Sequence, residues 1–476
     1  MSGSNTQARP NVVLICMDDI GYGDTSRTGN PWIETRHIDS IAREGVFCTQ
    51  AYTTAPLCSP SRAALLTGRY QQKFGFELQV TSGAYPDKVI DHDADGNMVL
   101  RDRDTSDFHR RGIPPEEKTM GEIFQANGYR TAIFGKWHLG HLPEFRPENR
   151  GFDESLVFLG NTTLQSTDLS NTTILSRKLD IHDEYPLTAW TREGVNGLRR
   201  NGAPVEVEEY LLWRMRDEAV AFIEANRDRP FLLYYPMNAP VPPLQVPRSY
   251  VERLSHIGNE DVRAYQALLQ ATDDAVGAVL GALRDNGLAE NTIVLFVSDH
   301  GGAVTRPACN LPFSGGKFDT REGGIRTPFF IRWPRRLRAG TIYDRPVATF
   351  DILPTLAAAI GLELPPGKEF DGVDLMPFLD GAPGEPHEML FFKLGALGGV
   401  RADRWKLYVD EVRNLFLLYN VITDPGETTD LSSAFRPVHD RLKAAYLGWK
   451  KTLPPPAWNN TGTSETSAGT ARPQRS

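Results

Sequence analysis

Four short apolar runs constrain this chain more than any other feature, because each one stops at residues that carry chemistry. Val12 to Met17 ends at Asp18-Asp19, and Tyr129 to Phe134 leads to Lys136 and His138. Phe231 to Tyr235 leads to Asn238, and Thr292 to Ser298 ends at Asp299-His300. Apolar runs of this length, continuous in three of the four and interrupted by Arg130 and Thr131 in Tyr129 to Phe134, are the pattern of strands buried on both faces. Between them lie stretches with helical spacing: Thr119 to Asn127, Glu208 to Asn226 and Asp261 to Asn286. Alternating strands and helices predict an α/β fold, a mainly parallel sheet flanked by helices on both faces. In such sheets the ligand crevice lies at the carboxyl ends of the strands. Asp18, Lys136, Asn238 and Asp299 are therefore expected on one rim, although hundreds of positions separate them.

A fifth stretch, Cys58-Ser59-Pro60-Ser61-Arg62, adds a reactive group. Ser59 is a good N-cap, Pro60 suits a first helical position, and Gly68 can end the helix. The Cys58 side chain then sits at a helix N-terminus, where unpaired N–H groups and the dipole favour an anion. Arg62 follows one turn on. Taken alone, these residues leave two readings open: a small buried thiol, or a nucleophile beside an anion hole and a cation. The other strand ends are equally open. Asp18-Asp19 is either a solvated turn or a pair of hard oxygen ligands for Ca²⁺ or Mg²⁺. Asp299-His300 either binds metal or hydrogen-bonds loops, and Lys136 and His138 are either structural or functional.

The 476 residues carry a net charge of −8, which argues against a general nucleic-acid binder, so an anionic substrate would need a local positive site. No apolar run approaches a membrane span. Met1 to Pro10 is polar and lacks an apolar signal core, so the chain as given is expected to be cytoplasmic. Cys16, Cys48, Cys58 and Cys309 form no C-x-x-C pair, which argues against zinc and fits a reducing compartment. The Asn-x-Thr triplets at Asn161, Asn171 and Asn459 are chance matches on that reading. Asp91-x-Asp93-x-Asp95-Gly96, with Asp102 at the twelfth place, is read as a solvated acidic turn, a structural calcium being the alternative.

Cys58-x-Pro60-x-Arg62 followed by Ala63-Ala64-Leu65-Leu66-Thr67-Gly68-Arg69 closely resembles the signature of the sulfatase family. Further motifs resemble it in order: Asp18-Asp19-x-Gly21-x-Gly23-Asp24, Gly135-Lys136-Trp137-His138-Leu139-Gly140, Asp299-His300-Gly301-Gly302, and Gly316-Lys317 ahead of Glu322-Gly323-Gly324. The resemblance implies an alkaline-phosphatase-like α/β architecture and hydrolysis of sulfate esters to an alcohol or phenol and inorganic sulfate. It implies that a formylglycine-generating enzyme oxidises Cys58 to an aldehyde, whose hydrate attacks the ester. It also implies a divalent metal, Ca²⁺ or else Mg²⁺ or another divalent ion, held by Asp18, Asp19, Asp299 and His300 and bound to the modified Cys58. Arg62, Lys136 and Lys317 would surround the sulfate, Asp299 would accept the nucleophile's proton, and His138 would assist sulfate release.

One segment departs from the pattern. Asn238-Ala239-Pro240-Val241 has valine where the family commonly has a histidine that binds sulfate or protonates the leaving group. Val241 motivates one alternative, a catalytically silent binding protein; a phosphoesterase or phosphonate monoester hydrolase of the same superfamily is another, because the resemblance implies a formylglycine and one metal that also serve phosphorus chemistry. The expected partner is a small-molecule or saccharide sulfate ester, with no nucleic acid and no membrane.

Gly151 to Val205 is polar and reads as surface loops that shape the substrate cleft. A Pro- and Gly-rich shift at Gly361 to Gly367 marks a boundary. The expected organisation is a catalytic domain over 1–360, a small C-terminal α+β domain on a short antiparallel sheet over 361–453, and a disordered tail over 454–476. In the small domain, strands are expected over Gly399 to Val409 and Asn414 to Tyr419, then the turn Thr423-Asp424-Pro425-Gly426-Glu427, then a helix from Pro437 to Lys451.

Overall fold

The computed structural model describes residues 9–80, 88–92, 98–102, 105–168, 170, 172–175 and 192–458. Ten strands form the main sheet: β1 (Asn11–Met17), β2 (Val46–Cys48), β3 (Arg130–Lys136), β4 (Glu154–Phe158), β5 (Arg199–Arg200), β6 (Ala203–Pro204), β7 (Phe231–Pro236), β8 (Thr292–Ser298), β9 (Phe329–Arg332) and β10 (Thr341–Tyr343). Their order across the sheet is β6-β5-β4-β3-β7-β1-β8-β9-β2-β10. The central five, β4 to β8 in that order, are mutually parallel, and β9 runs antiparallel to β8.

Residue alternation along β1 shows why the run is wholly apolar. Val13, Ile15 and Met17 pack into a core with the helices Leu211–Ala225 and Glu260–Asp285. Val12, Leu14 and Cys16 pack on the other face with the helices Cys58–Thr67, Met120–Ala126 and Ile352–Ile360. Both faces of the strand are covered, so neither tolerates a polar residue. Among the described residues no helix is long and apolar enough to cross a membrane.

The expected strands and helices form with small shifts, and two readings are corrected. Gly151 to Val205 is not all loop: β4 lies within it and pairs in parallel with β3. Only five residues long and half-exposed at its first position, β4 carries too short an apolar run to stand out from its polar surroundings. Gly399 to Val409 is not one strand but parts of two, β12 (Leu397–Ala402) and β13 (Trp405–Asp410), which turn through Asp403 at φ 50°. With β11 (Leu390–Leu394) and β14 (Leu415–Asn420) they make a four-stranded antiparallel sheet, against which the helix Arg436–Lys451 packs. The acidic repeat has Asp91 and Asp102 on the paired strands Lys88–His92 and Met98–Asp102, and residues 93–97 lie outside the described residues.

Residues 459–476 of the Pro-, Ser- and Thr-rich tail also lie outside the described residues. At the start of that tail Trp458 is only 3% exposed, meets Phe76 edge-on, and donates its indole N–H to the Gln79 carbonyl at 3.1 Å.

Besides an apolar contact of Leu390 and Phe392 with Tyr52, Ala64 and Phe350, buried charge ties the small sheet to the short helix Glu322–Ile325. Lys406 Nζ on β13 lies 3.2 Å from Glu322 Oε1 and 3.6 Å from Glu427 Oε1, and all three side chains are fully buried. Glu322 also pairs with Arg326 at 3.2 Å, whereas Lys406 is the one cation paired with Glu427 among the described residues, so the two carboxylates are held differently. Burial, opposed by Lys406 and aided by Glu322, raises Glu427 from 4.5 to about 7, whereas Glu322 is lowered because Lys406 and Arg326 outweigh its burial. The folded state thus keeps a proton on Glu427 that the unfolded chain releases near pH 4.5. Its contribution to stability is complete below pH 4.5 and is lost as pH rises through about 7. Urea unfolding at pH 5 and pH 8 should therefore show wild type losing stability relative to Glu427→Gln by a few kcal/mol; an unchanged difference between the two proteins would contradict this protonation.

Candidate active site

The helix that carries Cys58 begins at Cys58 itself, after Leu57 at φ −156° and ψ 140°, which makes no side-chain cap. Ser59 and Pro60, expected as cap and first residue, instead occupy its first turn, where the missing Pro60 N–H costs no intrahelical bond. Gly68 ends the helix as expected, at φ 70°. The consequence for Cys58 is the expected one: its thiol sits at a helix N-terminus, 2% exposed.

Around it the strand ends converge. Cys58 Sγ is 3.1 Å from His300 Nε2 and 3.6 Å from Asp18 Oδ1. His300 has its Nδ1 2.8 Å from the Gly301 carbonyl, which assigns the proton to Nδ1 and turns Nε2 toward the thiol and Asp299 Oδ1, 3.6 Å away. Lys136, the last residue of β3, reaches Asp18 Oδ2 at 2.7 Å. Lys317 Nζ reaches Asp19 Oδ2 at 3.1 Å. Arg62 spends its fork on the carboxylates rather than on the space at Cys58. Its Nε donates to Asp299 Oδ2 at 2.9 Å, one terminal nitrogen donates to the Lys136 carbonyl at 3.3 Å, and the other lies 3.7 Å from Asp18 Oδ1 without a hydrogen bond.

His138 is fully buried two residues beyond Lys136, with φ +57°. Asp19 also has a left-handed φ, 69°. Such backbone conformations in residues other than glycine collect at functional sites. Asn238 follows β7 and donates to the Thr163 carbonyl at 3.3 Å, while Val241, 6% exposed, offers no polar atom from its side chain. Asp24 stands apart from the cluster. It accepts from Gly21 N, Cys309 N and Tyr265 Oη, so it ties loops together, while burial pushes its carboxyl up to about 7 against the pull of those donors.

Two glycines make the convergence possible. A Cβ on Gly135 would lie 1.9 Å from the Pro236 carbonyl oxygen, and one on Gly301 would lie 1.8 Å from that of Gly323. Any side chain at these points would push apart the strand ends that bear Lys136 and Asp299.

Arg306 was not legible in the sequence. It ion-pairs with Asp19 Oδ2 beside Lys317, and its side chain is 6% exposed. It lies in an irregular loop beyond the Asp299 motif, where no spacing sets it apart. Four cationic side chains thus face three carboxylates, giving an anionic ligand a positive site within an acidic protein.

The charges interact strongly. Burial alone would raise Asp18 and Asp19, but Lys136 and Arg62 hold Asp18 far below the usual range, and Lys317 and Arg306 lower Asp19. Asp299 moves the other way, to about 6, because burial and neighbouring Asp18 outweigh His300 and Arg62. Burial also opposes the Cys58 thiolate, yet Lys136 and Lys317 prevail and bring the thiol down from 9.0 to about 6. Burial likewise opposes the charged forms of His300 and Lys317. Asp299 and Cys58 nonetheless raise His300 to about 9, and Asp19 and Cys58 raise Lys317.

The donor set can hold a divalent cation. Asp18, Cys58, Asp299 and His300 each offer a ligand atom within 4.8 Å of the others, and all four are buried. Asp19 Oδ1 is buried beside them, 3.6 Å from His300 Nδ1, and accepts no hydrogen bond. Carboxylate oxygens of this kind suit Ca²⁺ or Mg²⁺.

Residues 10–362 match the family model described as Sulfatase. The chain is 33% identical over 459 residues to the steryl-sulfatase of Mus musculus, covering 83% of this chain and 69% of that protein. It is 34% identical over 421 residues to arylsulfatase A of Homo sapiens, covering 86% and 72%. The crystal structure of Ps i-CgsB, also solved in complex with k-i-k-neocarrahexaose, superposes with a TM-score of 0.80 at 28% identity over 97% of this chain and 96% of that one.

The metal reading has a test that does not depend on turnover. A bound cation stabilises the folded state by mass action. Chelation should lower the thermal midpoint, and added Ca²⁺ should restore it in wild type but not in Asp19→Asn or Asp299→Asn. A midpoint that ignores both chelator and Ca²⁺ would rule out a cation at this cluster.

Proposed function

The chain belongs to the sulfatase family and is a sulfuric ester hydrolase, and from that premise we propose that it removes sulfate from saccharides, using Ca²⁺ and a formylglycine made from Cys58. The observation that carries this reading is the assembled site: a reactive position at a helix N-terminus ringed by Lys136, Lys317, Arg306 and three buried carboxylates. The saccharide assignment draws support from the near full-length likeness to a structure solved in complex with k-i-k-neocarrahexaose. It also draws on several relatives named as N-acetylgalactosamine-6-sulfatases, one of them 29% identical over 94% of this chain.

Asp18, Asp19, Asp299 and His300 would hold the cation. When present, the aldehyde hydrate supplies the oxygen nucleophile and the cation a Lewis acid that draws charge from the sulfate. The chain's own side chains do the rest. Lys136 and Lys317 bind and orient the sulfate oxygens, and their charges counter what builds up in the transition state. Arg62, locked on Asp299 and Asp18, keeps those carboxylates aimed. Asp299, buried with its carboxylate within 4.8 Å of Cys58 Sγ, is assigned the part of the base that accepts the nucleophile's proton. His138, at the end of the strand that bears Lys136, is assigned the proton transfer that accompanies sulfate release.

Saccharide alcohols are poor leaving groups, so an acid must help them depart, and Val241 cannot. Lys317 is assigned that role. Its ammonium is stabilised by Asp19, yet the departing alkoxide is more basic still, so proton transfer to it runs downhill. Lys317→Ala should therefore lower turnover of saccharide sulfates more than turnover of nitrophenyl sulfate, by up to ~10²–10⁴-fold. The ratio of the two rates is the measurement. An equal loss on both substrates would remove the acid role, and turnover of aryl but no saccharide sulfates by wild type would overturn the substrate class.

A further inference from the structure

The Asp424-Pro425-Gly426-Glu427 turn has no part in the chemistry above, yet its glutamate is 6% exposed and held at φ +53°. A buried acid in a left-handed conformation, on a surface turn of the small domain, calls for a structural reason. Its contacts supply one. Glu427 Oε2 accepts from Glu322 N at 2.8 Å and from Ser314 Oγ at 3.1 Å. Those two residues bracket the loop that carries Lys317.

The same loop is held at two further points. Lys406 Nζ, fully buried, donates to the Thr320 carbonyl at 2.9 Å and to Glu322 Oε1 at 3.2 Å. Thr320 Oγ1 donates to the Gly398 carbonyl on β12 at 2.9 Å. On its other side the loop is pinned to the catalytic rim by backbone: Lys317 N donates to the Gly302 carbonyl at 3.1 Å, and Phe318 N to the Pro56 carbonyl at 2.9 Å. Lys317 therefore stands on a segment clamped between the small sheet and the strand ends.

We propose that Lys406 and Glu427 are positioning residues for Lys317, so that the small antiparallel sheet sets the acid that serves the leaving group. Neither residue touches the sulfate. They act by fixing Ser314, Thr320 and Glu322, and with them the direction from which the Lys317 ammonium enters the site. Displacing a reacting group by a fraction of an ångström is enough to cost rate. The inference rests on the acid role assigned to Lys317, and the experiment separates the two.

The readout is the ratio of saccharide sulfate to nitrophenyl sulfate turnover, which a general loss of folded protein would leave unchanged. Lys406→Met should lower that ratio roughly 10- to 100-fold, the usual cost of removing an outer partner of a functional group. In a Lys317→Ala background the same change should leave the ratio unaltered, because the group it positions is gone. Thr320→Val, a milder change at the same clamp, should shift the ratio in the same direction and serves where Lys406→Met fails to fold. A normal ratio in Lys406→Met or Thr320→Val, with Lys317→Ala impaired, would overturn the positioning role alone. Losses that multiply independently in the double variant would do the same. An unimpaired ratio in Lys317→Ala would overturn the acid role and this inference with it.

Discussion

Buried carboxylates at the carboxyl ends of parallel strands are the constraint on which this structure depends. Asp18, Asp19 and Asp299 lie where no water can solvate them, and each would be costly there without an opposite charge. The fold meets that cost from distant parts of the chain. Arg62 comes from the helix after β2, Lys136 from β3, and Arg306 and Lys317 from the long excursion after β8. The same charges serve function, because a site that holds three carboxylates beside four cations can accept both a divalent metal and a sulfate. Stability and activity are drawn from one set of ion pairs, so a change that improves one will disturb the other.

A second buried charge cluster does for the two sheets what the first does for the strand ends. Lys406, Glu322 and Glu427 lie at the seam, with Tyr52 Oη donating to Glu322 Oε2 at 2.8 Å and Arg326 reaching the same oxygen at 3.2 Å. Arg401 Nε in turn reaches Tyr52 Oη at 3.0 Å. Ion pairs of this kind specify geometry more than they add stability. Leu390 and Phe392 of the small sheet also pack on Tyr52, Ala64 and Phe350, and the donors and acceptors at fixed positions add a register against the loop that bears Lys317.

Much of this was legible in the sequence, for physical reasons that also explain what was not. Strands buried on both faces read as apolar runs, so β1, β7 and β8 stood out, β3 did so through Ala132 to Phe134, and the residues just past them marked the rim. Strand β4 did not stand out, because its few apolar residues are set in a polar stretch. The turn at Asp403 carries neither glycine nor proline, so β12 and β13 merged into one expected strand. Helix signals at Ser59 and Pro60 pointed two residues too late, because the helix starts at Cys58 behind Leu57, which carries no capping side chain. At the site, Asp18, Asp19, Cys58, Lys136, His138, Asp299, His300 and Lys317 lie in motifs that can be recognised as strings. Arg306 and Lys406 lie in none. Arg306 meets Asp19 across 287 positions, and Lys406 meets Glu322 across 84. Contacts of that kind arise only once the chain has folded.

The central claim is that Cys58, once converted to an aldehyde, is the reacting group of this site. Its most direct test is to resolve the tryptic peptide containing Cys58 by mass, in preparations made with and without the formylglycine-generating enzyme, and to measure sulfate-ester turnover in the same samples. The account predicts that turnover rises in proportion to the fraction of peptide carrying the aldehyde and vanishes in Cys58→Ala, whose unfolding is otherwise normal. Full turnover by protein whose peptide carries only the thiol would contradict it.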